Sequence, residues 1–247
     1  MGAMARELTA STSSAARGFK PWRRFKPWHA LLAAGLACLV AGGYLLIGPV
    51  VSTALRGQAD QSALHNWTAR SANGTSGGAG KGAANAAKAT CGSASADDYA
   101  LVKFGTLGQY SYAGVAGDGT WDLLHDRTMV HYQGTADPGQ LGNSIIAFHR
   151  EPDYEHIDRL GAGDLVTIQD KACHTFTYRI TQRWDLAPSQ VTQLVPTSGY
   201  DLTLITCDPW WQDYNRFVWR ATLVGPSGGF VSGNGAPQGP ATGQPTF

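Results

Sequence analysis

The 247-residue chain has only four cysteines, at positions 38, 91, 173 and 207, too far apart to form the short-spaced pairs of a zinc site. Its acidic residues are scattered rather than gathered into a calcium-loop pattern, so nothing in the sequence calls for a metal or another cofactor. The stretch that looks foldable also lacks a basic surplus. Between Asp98 and Gly225, 15 acidic side chains stand against 9 basic ones. A nucleic-acid-binding surface needs its positive charge on the folded part, and here most of the basic residues lie outside it, so no nucleic-acid partner is expected. Large apolar residues are scarce from Arg56 to Asp97 and again beyond Gly225, where Ala, Gly, Ser, Asn, Thr, Pro and Gln dominate. Such segments bury too little apolar surface to offset the entropy of ordering. They read as a flexible stalk over 56–97 and a disordered tail over 226–247.

One absence is itself a signal. Ala30 to Leu55 holds no charged side chain over 26 residues, enough to cross a hydrocarbon core of about 30 Å as a tilted helix. Arg17, Lys20, Arg23, Arg24 and Lys26 precede it within a basic segment covering 1–29. The positive-inside bias therefore puts the N-terminus in the cytoplasm and everything after Arg56 outside the cell. The repeated Phe19-Lys20-Pro21-Trp22 and Phe25-Lys26-Pro27-Trp28 places Trp beside basic residues, as at a membrane interface. The run is longer than the apolar region of a cleaved signal peptide, which favours a retained single-pass anchor, although Ser52-Thr53-Ala54 would suit a signal peptidase.

What remains, 98–225, reads as one mostly β domain. Short β-rich runs separated by Gly, Pro and Asp occur at 144–149, 164–169, 175–184, 191–195, 201–207 and 216–223, a spacing that suits a mostly antiparallel barrel or sandwich. Between them, Tyr154, Ile157 and Leu160 recur at helical spacing, which predicts a short helix over 153–160.

Three side chains in this domain can carry chemistry. Cys207 ends the apolar run Leu202-Thr203-Leu204-Ile205-Thr206 and is followed by the turn signal Asp208-Pro209, which puts a thiol at a sheet rim. His149 closes the run Ser144-Ile145-Ile146-Ala147-Phe148. A cysteine nucleophile needs such a base, or an imidazolium, to supply the thiolate and protonate a leaving amine. Arg216 begins the run after Cys207, where a hairpin can return its guanidinium to the rim to steady an oxyanion. Arg220, on the same face but further from the turn, is its rival. Taken singly, a buried core cysteine, a satisfied histidine and a solvated arginine are each the commoner fate.

Taken together, Thr203-Leu204-Ile205-Thr206-Cys207 with Arg216 after it, and Ser144-Ile145-Ile146-Ala147-Phe148-His149-Arg150 before it, resemble the sortase family of cysteine transpeptidases. Gly134 to Asn143 and Leu160-Gly161-Ala162-Gly163-Asp164 extend the likeness over about 100 residues, one domain's worth. The style is similar to the actinobacterial class E group, with Phe148 where a Gly commonly precedes the His. The resemblance implies an eight-stranded β-barrel with one or two short helices, preceded by a single transmembrane helix, at a Gram-positive cell surface. It implies catalysis by Cys207, His149 and Arg216, on surface proteins bearing Leu-Pro-x-Thr-Gly or Leu-Ala-x-Thr-Gly sorting signals, with transfer to an amine of a lipid-linked peptidoglycan precursor. Thr206, Trp210 and Trp211 flank the nucleophile and are candidate substrate contacts.

Other cell-wall and protease patterns fit less well. An L,D-transpeptidase sets its cysteine in a Ser-x-Gly-Cys context, whereas Thr206 precedes Cys207 here, and papain-like enzymes place Cys before His. An anchored β-domain that binds a partner without catalysis, with Cys207 buried, is the non-enzymatic alternative. With Cys38 in the apolar span and Cys207 assigned, Cys91 and Cys173 lie outside the cell, where disulfides persist, but spacing does not fix their connectivity.

Overall fold

The computed structural model describes residues 27–75, 91, 95, 97–226 and 245. Residues 1–26 of the basic segment, 76–90 of the expected stalk and nearly all of the expected tail lie outside these described residues. The chain divides into two compact units, Met1–Gly48 and Pro49–Phe247.

Helix α1 spans Pro27–Thr75. In the first unit its Leu31, Leu36, Leu39, Val40 and Tyr44 are all exposed. Such a run of exposed apolar side chains suits lipid rather than water. Among the described residues this is one helix long and apolar enough to cross a membrane.

The second unit contains eight strands: β1 (Asp98–Phe104), β2 (Ala113–Gly119), β3 (Met129–Tyr132), β4 (Gly142–Phe148), β5 (Leu165–Asp170), β6 (Thr175–Leu186), β7 (Tyr200–Asp208) and β8 (Asn215–Pro226). They close into a barrel in the order β1-β2-β3-β4-β7-β8-β6-β5. The pairs β2–β3 and β4–β7 are parallel and the rest antiparallel. The expected eight-stranded barrel is therefore present, with four short 3₁₀ turns, at Gly105–Tyr110, Trp121–His125, Glu155–Arg159 and Pro188–Gln190, rather than one or two helices. The predicted helix over 153–160 is the third of these, too short for an α-helix, and its Ile157 faces the core.

Strand alternation sorts the side chains into two layers. Ile146, Phe148, Leu202, Leu204, Phe217 and Trp219 point into the barrel with Val102, Phe104, Val166 and Ile168. The alternate residues Ile145, Ala147, Ile205 and Val218 form a second cluster under Trp121, Leu124 and Leu194. The run 191–195, read as a strand, is no strand: β7 already pairs with β4 and β8, and the closed barrel leaves no edge for it. It lies over the outer cluster instead, with Leu194 buried.

The segment 56–97 also departs from a uniform stalk. Arg56–Thr75 continues α1 as helix, and Trp67 is completely buried against Leu101, Val115 and Cys91. Its indole Nε1 donates to Gln169 Oε1 at 2.9 Å. Cys91 is disulfide-bonded to Cys173 beside this cluster. Composition hid the docking because one Trp among small residues barely changes an average, yet burying one indole contributes several kcal/mol. Trp67→Ala should therefore cost about 3 kcal/mol. Urea unfolding checks this, and a loss below about 1 kcal/mol would show that the helix is not held by Trp67.

Candidate functional site

The register of the parallel pair β4–β7 brings the site together. Gly142 stands beside Tyr200 and Ala147 beside Ile205, the last pair of that register, and His149 and Cys207, each two residues further on, line the same cavity. Both belong to the alternation that carries Ala147 and Ile205, so both side chains leave the sheet on its outer face. On the other side of β7, Arg216 of β8 pairs directly with Cys207. Residues directly opposite in an antiparallel pair project to the same face, so its guanidinium stem rises beside the thiol.

Cys207 and His149 line one cavity of about 240 Å³, together with Thr53, Arg56, Glu151, Trp211, Gln212 and Asp213. Cys207 is only 2 % exposed and His149 6 %. Burial pushes the Cys207 thiol up to about 12, with the positive charge of Arg216 pulling the other way and the carboxylates Glu151 and Asp213 adding to the rise. Burial lowers His149 to about 4; its contact with the Leu124 carbonyl opposes this, while the charges of Arg56 and His125 add to it. At neutral pH the pair is therefore a thiol facing a neutral imidazole. Since the thiolate is the nucleophile, alkylation of Cys207 by iodoacetamide should be slow at pH 7 and rise by roughly tenfold per pH unit across the neutral range. A rate that is flat between about pH 6 and pH 9 would contradict this protonation state.

Arg216 Nη1 donates to the carbonyls of Asp213 at 2.7 Å and Asn215 at 2.9 Å, which fixes the guanidinium at the foot of the β7–β8 loop. Its rival Arg220 pairs with Thr203, further down the strand, and donates to Gln193 O at 2.7 Å.

The three candidate substrate contacts separate. Trp211 is on the cavity wall and 55 % exposed. Thr206 has the opposite alternation from Cys207: it is fully buried, pairs with Phe217 and donates its hydroxyl to Phe148 O at 2.6 Å. Trp210 is half-buried, packs edge-on against Trp211 and is not among the cavity-lining residues.

Several residues around the site escaped the sequence reading. Arg150, next to the histidine, ties the end of β4 to Asp208 at the end of β7 and to Asp158 at 3.2 Å, so it clamps the two strands that present His149 and Cys207. Glu151 Oε1 accepts the backbone N–H of Trp211 and so holds the β7–β8 loop. Arg56 reaches in from α1. In the sequence it is simply the first charge after an uncharged run, and no local signal marks it as a cavity residue.

A family model described as a sortase domain matches residues 108–224. Among solved structures, the chain is similar to a Clostridium perfringens sortase D5 transpeptidase, at 28% identity and a TM-score of 0.46 over 52% of this chain and 80% of that one. It is similar as well to sortase E from Streptomyces avermitilis, at 28% identity and a TM-score of 0.46 over 53% of this chain and 90% of that one. Comparison with curated proteins finds no match.

Proposed function

We propose, from the sortase-domain family model that matches residues 108–224, that the protein is a membrane-anchored cysteine transpeptidase of the sortase family using Cys207, His149 and Arg216. The supporting observation is their common placement: Cys207 and His149 share a cavity wall, and Arg216 stands directly opposite Cys207 on the adjoining strand.

In this reading the Cys207 sulfur attacks the Thr carbonyl carbon of a Thr-Gly bond in a Leu-Pro-x-Thr-Gly or Leu-Ala-x-Thr-Gly sorting signal. His149 takes the thiol proton and passes it to the departing Gly amine, so that a thioester forms as the C–N bond breaks. The acceptor, an amine of a cell-wall precursor, then attacks the thioester, and His149 removes its proton as the sulfur leaves. Arg216 steadies the oxyanion formed in each step. Burial makes this stabilisation stronger, because a fixed cation in a partly dry site is less screened than one in water. Trp211 lines the groove for substrate or acceptor. The apolar part of α1 holds the enzyme at a Gram-positive membrane, with the N-terminus cytoplasmic and the barrel outside, near both membrane-linked partners.

Fluorogenic peptides of both sorting-signal types, supplied with an amine acceptor to the full chain in lipid nanodiscs, test this. Cleavage between Thr and Gly with transfer to the amine is expected. The burial of Cys207 favours one other reading, an anchored β-domain that binds a partner without catalysis. That reading predicts no turnover and a Cys207 that resists alkylation until the protein unfolds.

A further inference from the structure

Arg56 makes a contact in the cavity that the chemistry just described does not use. Its Nη1 lies 2.7 Å from His149 Nε2 and 3.2 Å from Leu124 O, and its Nη2 donates to Thr53 Oγ1 at 3.3 Å. His149 Nε2 also lies 2.7 Å from Leu124 O. One ring nitrogen thus faces a donor and an acceptor at the same distance and can satisfy only one of them at a time.

The two neighbours favour opposite proton positions. The guanidinium has donors alone, so it is satisfied only when Nε2 presents its lone pair. The imidazole proton then sits on Nδ1, and neither nitrogen is open to take the thiol proton. Leu124 O, which also accepts from Arg56 Nη1, accepts from the ring only when Nε2 carries a proton, as it does in the imidazolium. Adding a proton to the ring with Arg56 in place would set two N–H donors and two positive charges against each other at 2.7 Å.

We propose that Arg56 is a positioning residue that acts through His149: from α1 it holds the imidazole uncharged, and its withdrawal hands Nε2 to Leu124 O so that the ring can carry the proton between Cys207 and the amine. The inference rests on His149 being the acid/base group. It gives the juxtamembrane end of α1 a part in the reaction, since Arg56 and Thr53 form one wall of the nucleophile's cavity. The other charged or titratable groups around the ring are His125 from the 3₁₀ turn, Glu151 from its own strand end, Cys207 from β7, Asp213 from the β7–β8 loop and Arg216 from β8. Arg56 comes from α1, which is no part of the barrel wall, so its contact can break without disturbing a strand.

The test follows the His149 ring by NMR titration in the full chain, carrying labelled histidine, in lipid nanodiscs. The signal is assigned by its loss in His149→Gln. Arg56→Met keeps a long side chain and removes the charge; Arg56→Lys keeps the charge. The His149 midpoint should rise by about one pH unit in Arg56→Met and stay within a few tenths of wild type in Arg56→Lys. An unchanged midpoint in Arg56→Met would overturn the proposal. So would equal rises in both variants, because relief of burial rather than loss of charge would then be the cause. The readout needs no peptide substrate, so a protein inactive towards sorting signals would refute the transpeptidase reading without deciding this one.

Discussion

Replacing Cys207 with Ala is expected to abolish transfer, with a loss of roughly 10⁴-fold or more in turnover, because no other group in the cavity can form the thioester. The remaining lining residues are Thr53, Arg56, His149, Glu151, Trp211, Gln212 and Asp213, none of them a thiol. His149→Ala should cost about 10²–10⁴-fold, the usual contribution of a positioned acid/base group. The two losses will not add. Groups that act as one unit fail together, so the double variant should be no slower than Cys207→Ala alone. Arg216→Lys keeps a charge but loses the planar fork now fixed by Asp213 O and Asn215 O, and should fall between wild type and His149→Ala. Single-turnover peptide cleavage by the wild type and the four variants checks the order. A double variant much slower than either single one would mean that Cys207 and His149 work separately.

The largest effect on stability should come from Trp219→Ala, a loss of about 3–5 kcal/mol. Trp219 is completely buried in the barrel, stacks on Phe148, packs against Phe217 and donates its indole N–H to Leu160 O at 2.8 Å. Alanine removes the ring, leaves a cavity at the barrel centre and strips the Leu160 carbonyl of its donor. For a domain of this size that loss corresponds to a fall of about 10 °C in Tm. The change also reaches the site, since Phe148 precedes His149 and Phe217 follows Arg216. Thermal unfolding followed by circular dichroism measures it, and a fall below about 3 °C would show that the core repacks around the gap.

The runs ending in His149 and Cys207 and beginning at Arg216 are continuous, apolar and β-branched, so the strands that carry the proposed catalytic groups were readable from the sequence. The first three strands were not. β2, Ala-Gly-Val-Ala-Gly-Asp-Gly, has almost no strand propensity of its own, and its glycines serve close packing: a Cβ on Gly114 would come within 2.4 Å of the Tyr154 hydroxyl. Tertiary contact outweighs local preference there. The stretch 191–195 failed for the opposite reason, since its local pattern suits a strand but the closed barrel offers it no partner. Within the site, period-two alternation already separates Thr206 from Cys207, because neighbouring strand residues face opposite ways. Arg56 lies 93 residues before His149, and its contact depends on how α1 docks on the barrel, which no local pattern records.

The most direct test of Cys207 as the nucleophile is to look for the thioester itself. The full chain in nanodiscs is mixed with a Leu-Pro-x-Thr-Gly or Leu-Ala-x-Thr-Gly peptide without an amine acceptor, quenched in acid and digested, and the peptide holding Cys207 is weighed. Cys207 is expected to gain the mass of the substrate up to and including its Thr, and hydroxylamine to remove it. Thr-Gly cleavage with Cys207 unmodified throughout, or an adduct on a different residue, would contradict it.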